Sequence, residues 1–253
     1  MTMNTNSNVY TVIYSTLIVV LVAALLAFVA MTLKPRQDAN IKAETISQML
    51  CAAQFYTKDE CSAMGNDKVL EAYASNIRRA FLIDEKGDSL RALNTDVKNI
   101  ELQDGLKAQN AAIRKGNGAQ LPVYIFAKDG REITVIPCYG AGLWGPVWGY
   151  LAFADDAKTF VGAYFDHESE TPGLGAKIKD EDWFREKFAG KQVAFGSEPL
   201  FNLAKNAEQS GAANAVDAIT GATMTSKGLG EALNVWFKAY EKHFSANFKA
   251  EEE

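Results

Sequence analysis

Four hydroxyl side chains crowd into the seven residues from Thr220 to Ser226, namely Thr220, Thr223, Thr225 and Ser226, with Gly221 and Ala222 between the first two. A helical pattern follows at once: Leu229, Leu233, Trp236, Phe237, Tyr240 and Phe244 recur at spacings of 4, 3, 1, 3 and 4. The hydroxyls therefore stand at a helix entrance, where backbone N–H groups lack intrahelical acceptors and the positive end of the dipole favours an anion. Small residues let the backbone approach that anion closely, so a phosphate fits here. The same stretch also suits an ordinary N-cap, since Ser and Thr are preferred caps. Physical chemistry alone leaves both readings open.

Two further stretches have the composition of binding loops. Glu168-Ser-Glu-Thr-Pro-Gly-Leu-Gly175 follows an apolar run and is followed by Ala-Lys177-Ile. Pro172 fixes the chain there while Gly173 and Gly175 open it, which describes a shaped loop. Such loops carry binding residues on a rigid scaffold, and Lys177 could face an anion. Upstream lies Gly140-Ala-Gly-Leu143-Trp144-Gly-Pro146, where glycine allows close approach of another group and Trp144 offers a flat apolar face. A tight turn beside a packed Trp explains the same residues. The three cysteines, Cys51, Cys61 and Cys138, have no spacing that makes a metal clasp, and two histidines add nothing to a metal site. In an oxidising compartment Cys51 and Cys61 could pair, leaving one free thiol; the alternative is that they are simply small buried residues.

The elements that must position these residues begin with an anchor. Val9 to Leu33 carries no side chain charged at neutral pH, and as a helix would be roughly 37 Å long, enough to cross a hydrocarbon core of about 30 Å. A cleaved signal peptide has a shorter apolar region preceded by positive charge, and residues 1–8 hold neither Lys nor Arg. A retained transmembrane helix is expected. Lys34, Arg36 and Lys42 follow it, and by themselves these charges would keep the large domain in the cytoplasm. The 253 residues, 48% of them hydrophobic, suit one anchor and one globular domain with a proper core. A net charge of −5 argues against a general nucleic-acid binder.

Between anchor and loops, Ile41, Ile46, Met49 and Leu50 suggest a helix leaving the membrane, and Val69–Ile77 a second helix. Arg79–Asp84 reads as a strand ending in a Gly turn, and residues 96–120 as a surface helix and loop. Val123–Lys128, Asp129-Gly130 and Arg131–Pro137 form a hairpin with a two-residue turn. Val147–Phe153 and Thr159–Phe165 are two further strands. The expected division is a tail at 1–8, a transmembrane helix at 9–33, a mixed accessory region at 34–120, the ligand domain at 121–246 and an acidic tail at 247–253.

The motifs together resemble a known family. Asp217-x-x-Thr220-Gly221-Ala222-Thr223 is similar to the flavinylation signature Asp-x-x-(Ser/Thr)-Gly-Ala-(Thr/Ser), in which a flavin transferase joins FMN through a phosphoester to the last hydroxyl. That hydroxyl is Thr223 here, and Thr225 is its rival, since spacing alone does not separate them. Glu170-Thr171-Pro-Gly-Leu174-Gly175 resembles the loop of domains that carry covalent FMN. With Gly-Leu-Trp at 142–144 and the anchor, these motifs resemble the C-subunit family of sodium-translocating NADH:quinone reductases; the G subunit of the related ferredoxin:NAD complex shares most of them.

The resemblance implies an α+β fold: one N-terminal transmembrane helix, then a globular FMN-binding domain with an antiparallel sheet flanked by helices. It implies FMN covalently bound to Thr223, with Leu143, Trp144, Glu170, Thr171, Leu174, Gly175, Lys177, Thr220, Gly221 and Ala222 around it. It implies an electron carrier within a multi-subunit sodium pump of the bacterial inner membrane, beside other membrane and flavoprotein subunits. The globular domain is then expected on the periplasmic side, against the charge signal. A membrane-anchored binding module without redox function is the competing class.

Overall fold

The computed structural model describes residues 8–250, with side chains to residue 245. Except for Asn8 and the backbone of 247–250, the expected tails at 1–8 and 247–253 lie outside the described residues. Helix α1 runs from Asn8 to Ala52 and so takes in both the expected span and the helix expected over 41–50. Its apolar part is exposed along its length and is long and apolar enough to cross a membrane. Pro35 has no N–H to give to the carbonyl of Met31, yet the helix continues through it.

The chain divides into two compact units between Ala43 and Glu44. The second contains α2 (Lys58–Ala63), α3 (Asn66–Asn76), β1 (Ile77–Ile83), β2 (Ser89–Ala92), α4 (Leu106–Lys115), β3 (Leu121–Lys128), β4 (Arg131–Ala141), β5 (Pro146–Phe153) and β6 (Phe160–His167). After these come α5 (Lys177–Asp180), α6 (Asp182–Glu186), β7 (Asn202–Ala204), a 3-10 turn at Ala207–Ser210, β8 (Ala215–Asp217) and α7 (Thr223–Ala250). Six strands form one antiparallel sheet in the order β2-β1-β3-β4-β5-β6. This is the expected α+β architecture. The division expected at residue 120 falls inside the sheet, because β1 pairs directly with β3 and the first two strands come from the region read as accessory.

Alternation along β3 shows why its sequence is apolar at nearly every position. Val123 and Ile125 join the core under α7, while Phe126 meets the rings of Phe55 and Tyr73 on the other face. A sheet covered on both sides leaves no polar face to write into the strand. On the α7 side, Leu229, Leu233, Trp236, Phe237, Tyr240 and Phe244 are all buried, as their spacing predicts. Fully burying each such side chain contributes about 1.5–3 kcal/mol. The polar tips stay satisfied: Trp236 Nε1 donates to the Tyr139 carbonyl at 2.9 Å and Tyr240 OH to the Pro122 carbonyl at 2.7 Å.

Helix α7 approaches β4 closely because glycines remove side chains from the contact. A Cβ at Gly140 would stand 2.6 Å from the Ala232 methyl, and one at Gly228 would collide with the Ala141 carbonyl oxygen. Smaller elements escaped the sequence reading. Strand β2 is exposed at all four positions, and β7 and β8 are three residues each, paired in parallel. None is long enough for a period to show.

Candidate functional site

Three loops converge at one end of the sheet. The first is the turn 142–145 joining β4 to β5, closed by Gly142 N donating to the Gly145 carbonyl at 2.7 Å. The second is 168–176, after β6, where Leu174 N and Ala176 N both donate to the Thr171 carbonyl at 3.1 Å. The third is 218–222, which bends through Gly221 at φ +83° and enters α7 at Thr223. That left-handed φ suits glycine best, since it has no Cβ to clash. The space beside Gly221 is bounded by the Leu174 side chain, so the second and third loops touch.

The carboxylate of Glu170 binds the constellation together. It is only 6% exposed. Its Oε1 accepts from Leu143 N at 2.7 Å and Trp144 N at 3.1 Å, and its Oε2 accepts from Thr225 Oγ1 at 2.5 Å. A buried carboxylate needs such donors to offset its lost hydration, and charge-assisted bonds are the strong ones. Two glycines make room for it. A Cβ at Gly175 would lie 2.6 Å from Thr225 Oγ1, one at Gly142 would lie 2.8 Å from a Val147 methyl, and both would press on the Glu170 oxygens. Ser169 Oγ adds a 3.2 Å bond to the Trp144 carbonyl.

The backs of the loops are thus polar and sealed, and their fronts are open. Trp144 is 67% exposed, and Leu143, Leu174 and Met224 are also exposed. Thr171, Thr220, Gly221 and Thr223 are exposed, Lys177 is half-buried at the start of α5, and Gly175 and Ala222 are buried. All the residues expected at the site lie on these three loops or at the helix starts they lead into. Near the turn, burial first, and then the Glu168 carboxylate, raise the Tyr139 phenol above its ordinary range.

Two residues of these loops work behind the open face. Thr225, the rival hydroxyl, is 1% exposed and spends its hydroxyl on Glu170. A buried carboxylate competes better for that donor than an open backbone does. Glu170 has both of its oxygens engaged behind the turn. Ser226, whose role was unassigned, accepts from Ile219 N at 3.1 Å and so fastens the third loop to the first turn of α7.

Asp217, the first residue of the hydroxyl motif, also acts structurally: its Oδ1 accepts from Glu208 N at 3.0 Å and holds the 3-10 turn. Met224 was missed altogether. It interrupts the run of hydroxyls, and only the observed phase of α7 puts it on the open side.

Residues 142–238 match the FMN-binding domain family, a span that holds all three loops. The C subunit of the Na(+)-translocating NADH-quinone reductase of Haemophilus ducreyi is 30% identical over 226 residues, covering 84% of this chain and 83% of that protein. Its counterpart in Yersinia pestis is 30% identical over 184 residues, 67% of each chain. The crystal structure of the C subunit from Parabacteroides distasonis superposes with a TM-score of 0.70 at 29% identity, covering 84% of this chain and 97% of that one. Fold and loops together define an FMN-binding domain. The chain belongs to the C-subunit family of the Na(+)-translocating NADH-quinone reductases.

Proposed function

We propose that this chain is a membrane-anchored flavoprotein subunit of a sodium-pumping NADH:quinone oxidoreductase, with FMN joined through a phosphoester to Thr223. The observation that carries the reading is the division of labour between two hydroxyls. Thr225 is buried against Glu170, while Thr223 stands exposed on the first residue of α7 among exposed apolar side chains. Four large exposed apolar residues on neighbouring loops suit the flat, partly apolar ring of a flavin, and such patches usually mark a binding site. When bound, FMN supplies transfer of single electrons between neighbouring redox groups.

The chain's own residues attach and orient. The first N–H groups of α7 have no acceptor within the helix and point, with its dipole, at the phosphate side of the tether. Gly221, with no Cβ, lets the backbone bend past that phosphate. Leu143, Trp144, Thr171 and Leu174 flank the ring or its chain, with Lys177, Gly175, Thr220 and Ala222 shaping the rim. Glu170 takes part from behind by fixing the turn that carries Leu143 and Trp144.

The covalent bond requires a flavin transferase during maturation. Electron transfer requires the other membrane and flavoprotein subunits of the complex, which couples electron flow to sodium export. We place α1 across the bacterial inner membrane as a single pass, with the globular unit on the periplasmic side. Alkaline phosphatase fused after residue 60 should be active, and an inactive fusion would reverse that orientation.

The decisive experiment is mass spectrometry of the 217–227 peptide, with ultraviolet fluorescence of a denaturing gel. The native chain should carry the FMN mass on Thr223, and Thr223→Ala should be dark while still folding. A flavinylated Thr223→Ala, or a colourless native chain made beside an active transferase, would refute the assignment.

A further inference from the structure

At the far end of α1 from its start, the last turn is locked in place. Gln54 takes a left-handed φ of +58°, Phe55 N donates to the Leu50 carbonyl at 2.9 Å, and Lys128 Nζ reaches the Gln54 carbonyl. The short helix α2 is also fixed at its start. Thr57 and Glu60 form a reciprocal capping box, with Thr57 N donating to the Glu60 carboxylate at 2.8 Å and Glu60 N to Thr57 Oγ1 at 3.2 Å. Between these two fixed ends the thiols of Cys51 and Cys61 face each other with Sγ–Sγ 3.0 Å. Each sulfur also lies near a backbone carbonyl oxygen, Cys51 3.7 Å from that of Thr57 and Cys61 3.8 Å from that of Ser47. A disulfide bond is about 2.05 Å long, so each sulfur needs to move only about half an ångström.

We propose that Cys51 and Cys61 are a built modification site, a dithiol that closes to a disulfide by exchange with an oxidised dithiol protein. Cys51 is the entry sulfur. It is half-buried and lines an open cleft of about 460 Å³, walled also by Phe55, Tyr56, Tyr164 and Arg185. Cys61 is buried behind it and serves as the resolving thiol. The Cys51 S–H donates to the Cys61 sulfur, and that bond lowers the Cys61 thiol and raises that of Cys51.

In the first step the Cys51 sulfur attacks one sulfur of the carrier's disulfide. A Cys51–carrier bond forms, the carrier's S–S bond breaks, and the freed carrier thiol takes the Cys51 proton. In the second step the Cys61 sulfur attacks Cys51, displaces the carrier and passes its proton to the departing thiol. Two electrons and two protons move to the carrier, and one disulfide replaces another. Cys138 is an internal control. It lies fully buried in the sheet, where burial raises its thiol to about 12, and no other thiol is near it among the described residues.

The test uses the full chain in detergent, equilibrated with oxidised or reduced glutathione, quenched with N-ethylmaleimide and digested by trypsin without reductant. Cleavage after Lys42, Lys58 and Lys68 separates the two cysteines onto peptides 43–58 and 59–68. After oxidised glutathione these peptides should run as one linked species, two hydrogen atoms lighter than their sum. After reduced glutathione they should separate with one maleimide each. Cys138 should stay unmodified under both conditions until the chain is unfolded. Cys61→Ser should trap glutathione on Cys51, and Cys51→Ser, at the more open position, should leave Cys61 unlinked. Independent glutathione adducts on both cysteines of the native chain, or two maleimides after oxidation, would overturn the proposal.

Discussion

Strand β4 has a turn at each end, and the two are built on different physical grounds. At its start, Asp129 and Gly130 take φ values of +52° and +80°, and nothing lies within 4 Å of where a Cβ on Gly130 would stand. Two consecutive residues make that turn, because an Asp-Gly pair accepts the left-handed backbone that matches the twist of the strands. At the other end, the 142–145 turn is buttressed by a carboxylate 27 residues from Leu143, itself held by a hydroxyl 55 residues further on. One turn is local and faces water with polar residues. The other is assembled from afar and presents Leu143 and Trp144 outward. Remote support from buried groups is what allows apolar side chains to be held open where a local turn would let them collapse.

Substitutions can break that contrast. Glu170→Ala should be the most damaging, since it leaves the Thr225 hydroxyl and two backbone donors without their acceptor. We expect a loss of about 3 kcal/mol in urea unfolding, together with reduced flavin attachment. Gly175→Ala should cost about 2 kcal/mol by crowding Thr225 and Glu170. Thr225→Val keeps the shape but removes the donor, and should cost about 1.5 kcal/mol while the chain remains fluorescent on gels. Gly130→Ala should cost about 1 kcal/mol, through backbone strain alone, and leave flavin yield unchanged. Were it to cost more than Gly175→Ala, the distinction between local and remote turns would collapse. Trp144→Ala should shift unfolding by less than about 0.5 kcal/mol, since the ring is exposed. It should nevertheless change the visible spectrum of the bound flavin, and an unchanged spectrum would remove Trp144 from the proposed site.

The same contrast governs what was legible in the sequence. The Asp129-Gly130 hairpin, the strands of β5 and β6 and the buried face of α7 could be read directly, because their signals lie in neighbouring residues or in one helical period. The three loops were legible as motifs, yet not their division of labour. Nothing local distinguishes Thr223 from Thr225, two residues apart at the same helix entrance. Only the fold shows that Glu170 reaches one of them. Lys177, read as a candidate for an anion, is half-buried at the start of α5. The accessory reading of residues 34–120 missed β2 because Ser-Leu-Arg-Ala is only four residues long and exposed at every one of them. The approach of Cys51 to Cys61 depends on where α1 stops, which Gln54 sets through an unusual φ rather than through a recognisable stop signal.

Gly228 and Gly140 bring α7 and β4 closer than any side chain would permit. The helix that begins at Thr223 and the strand that delivers Trp144 therefore form one stiff bracket, unable to slide by the width of a methyl group. A flavin tethered as proposed would keep a constant distance to these two walls. Its reach toward a donor or acceptor would then be set by where the bracket stands as a whole, and not by bending inside it.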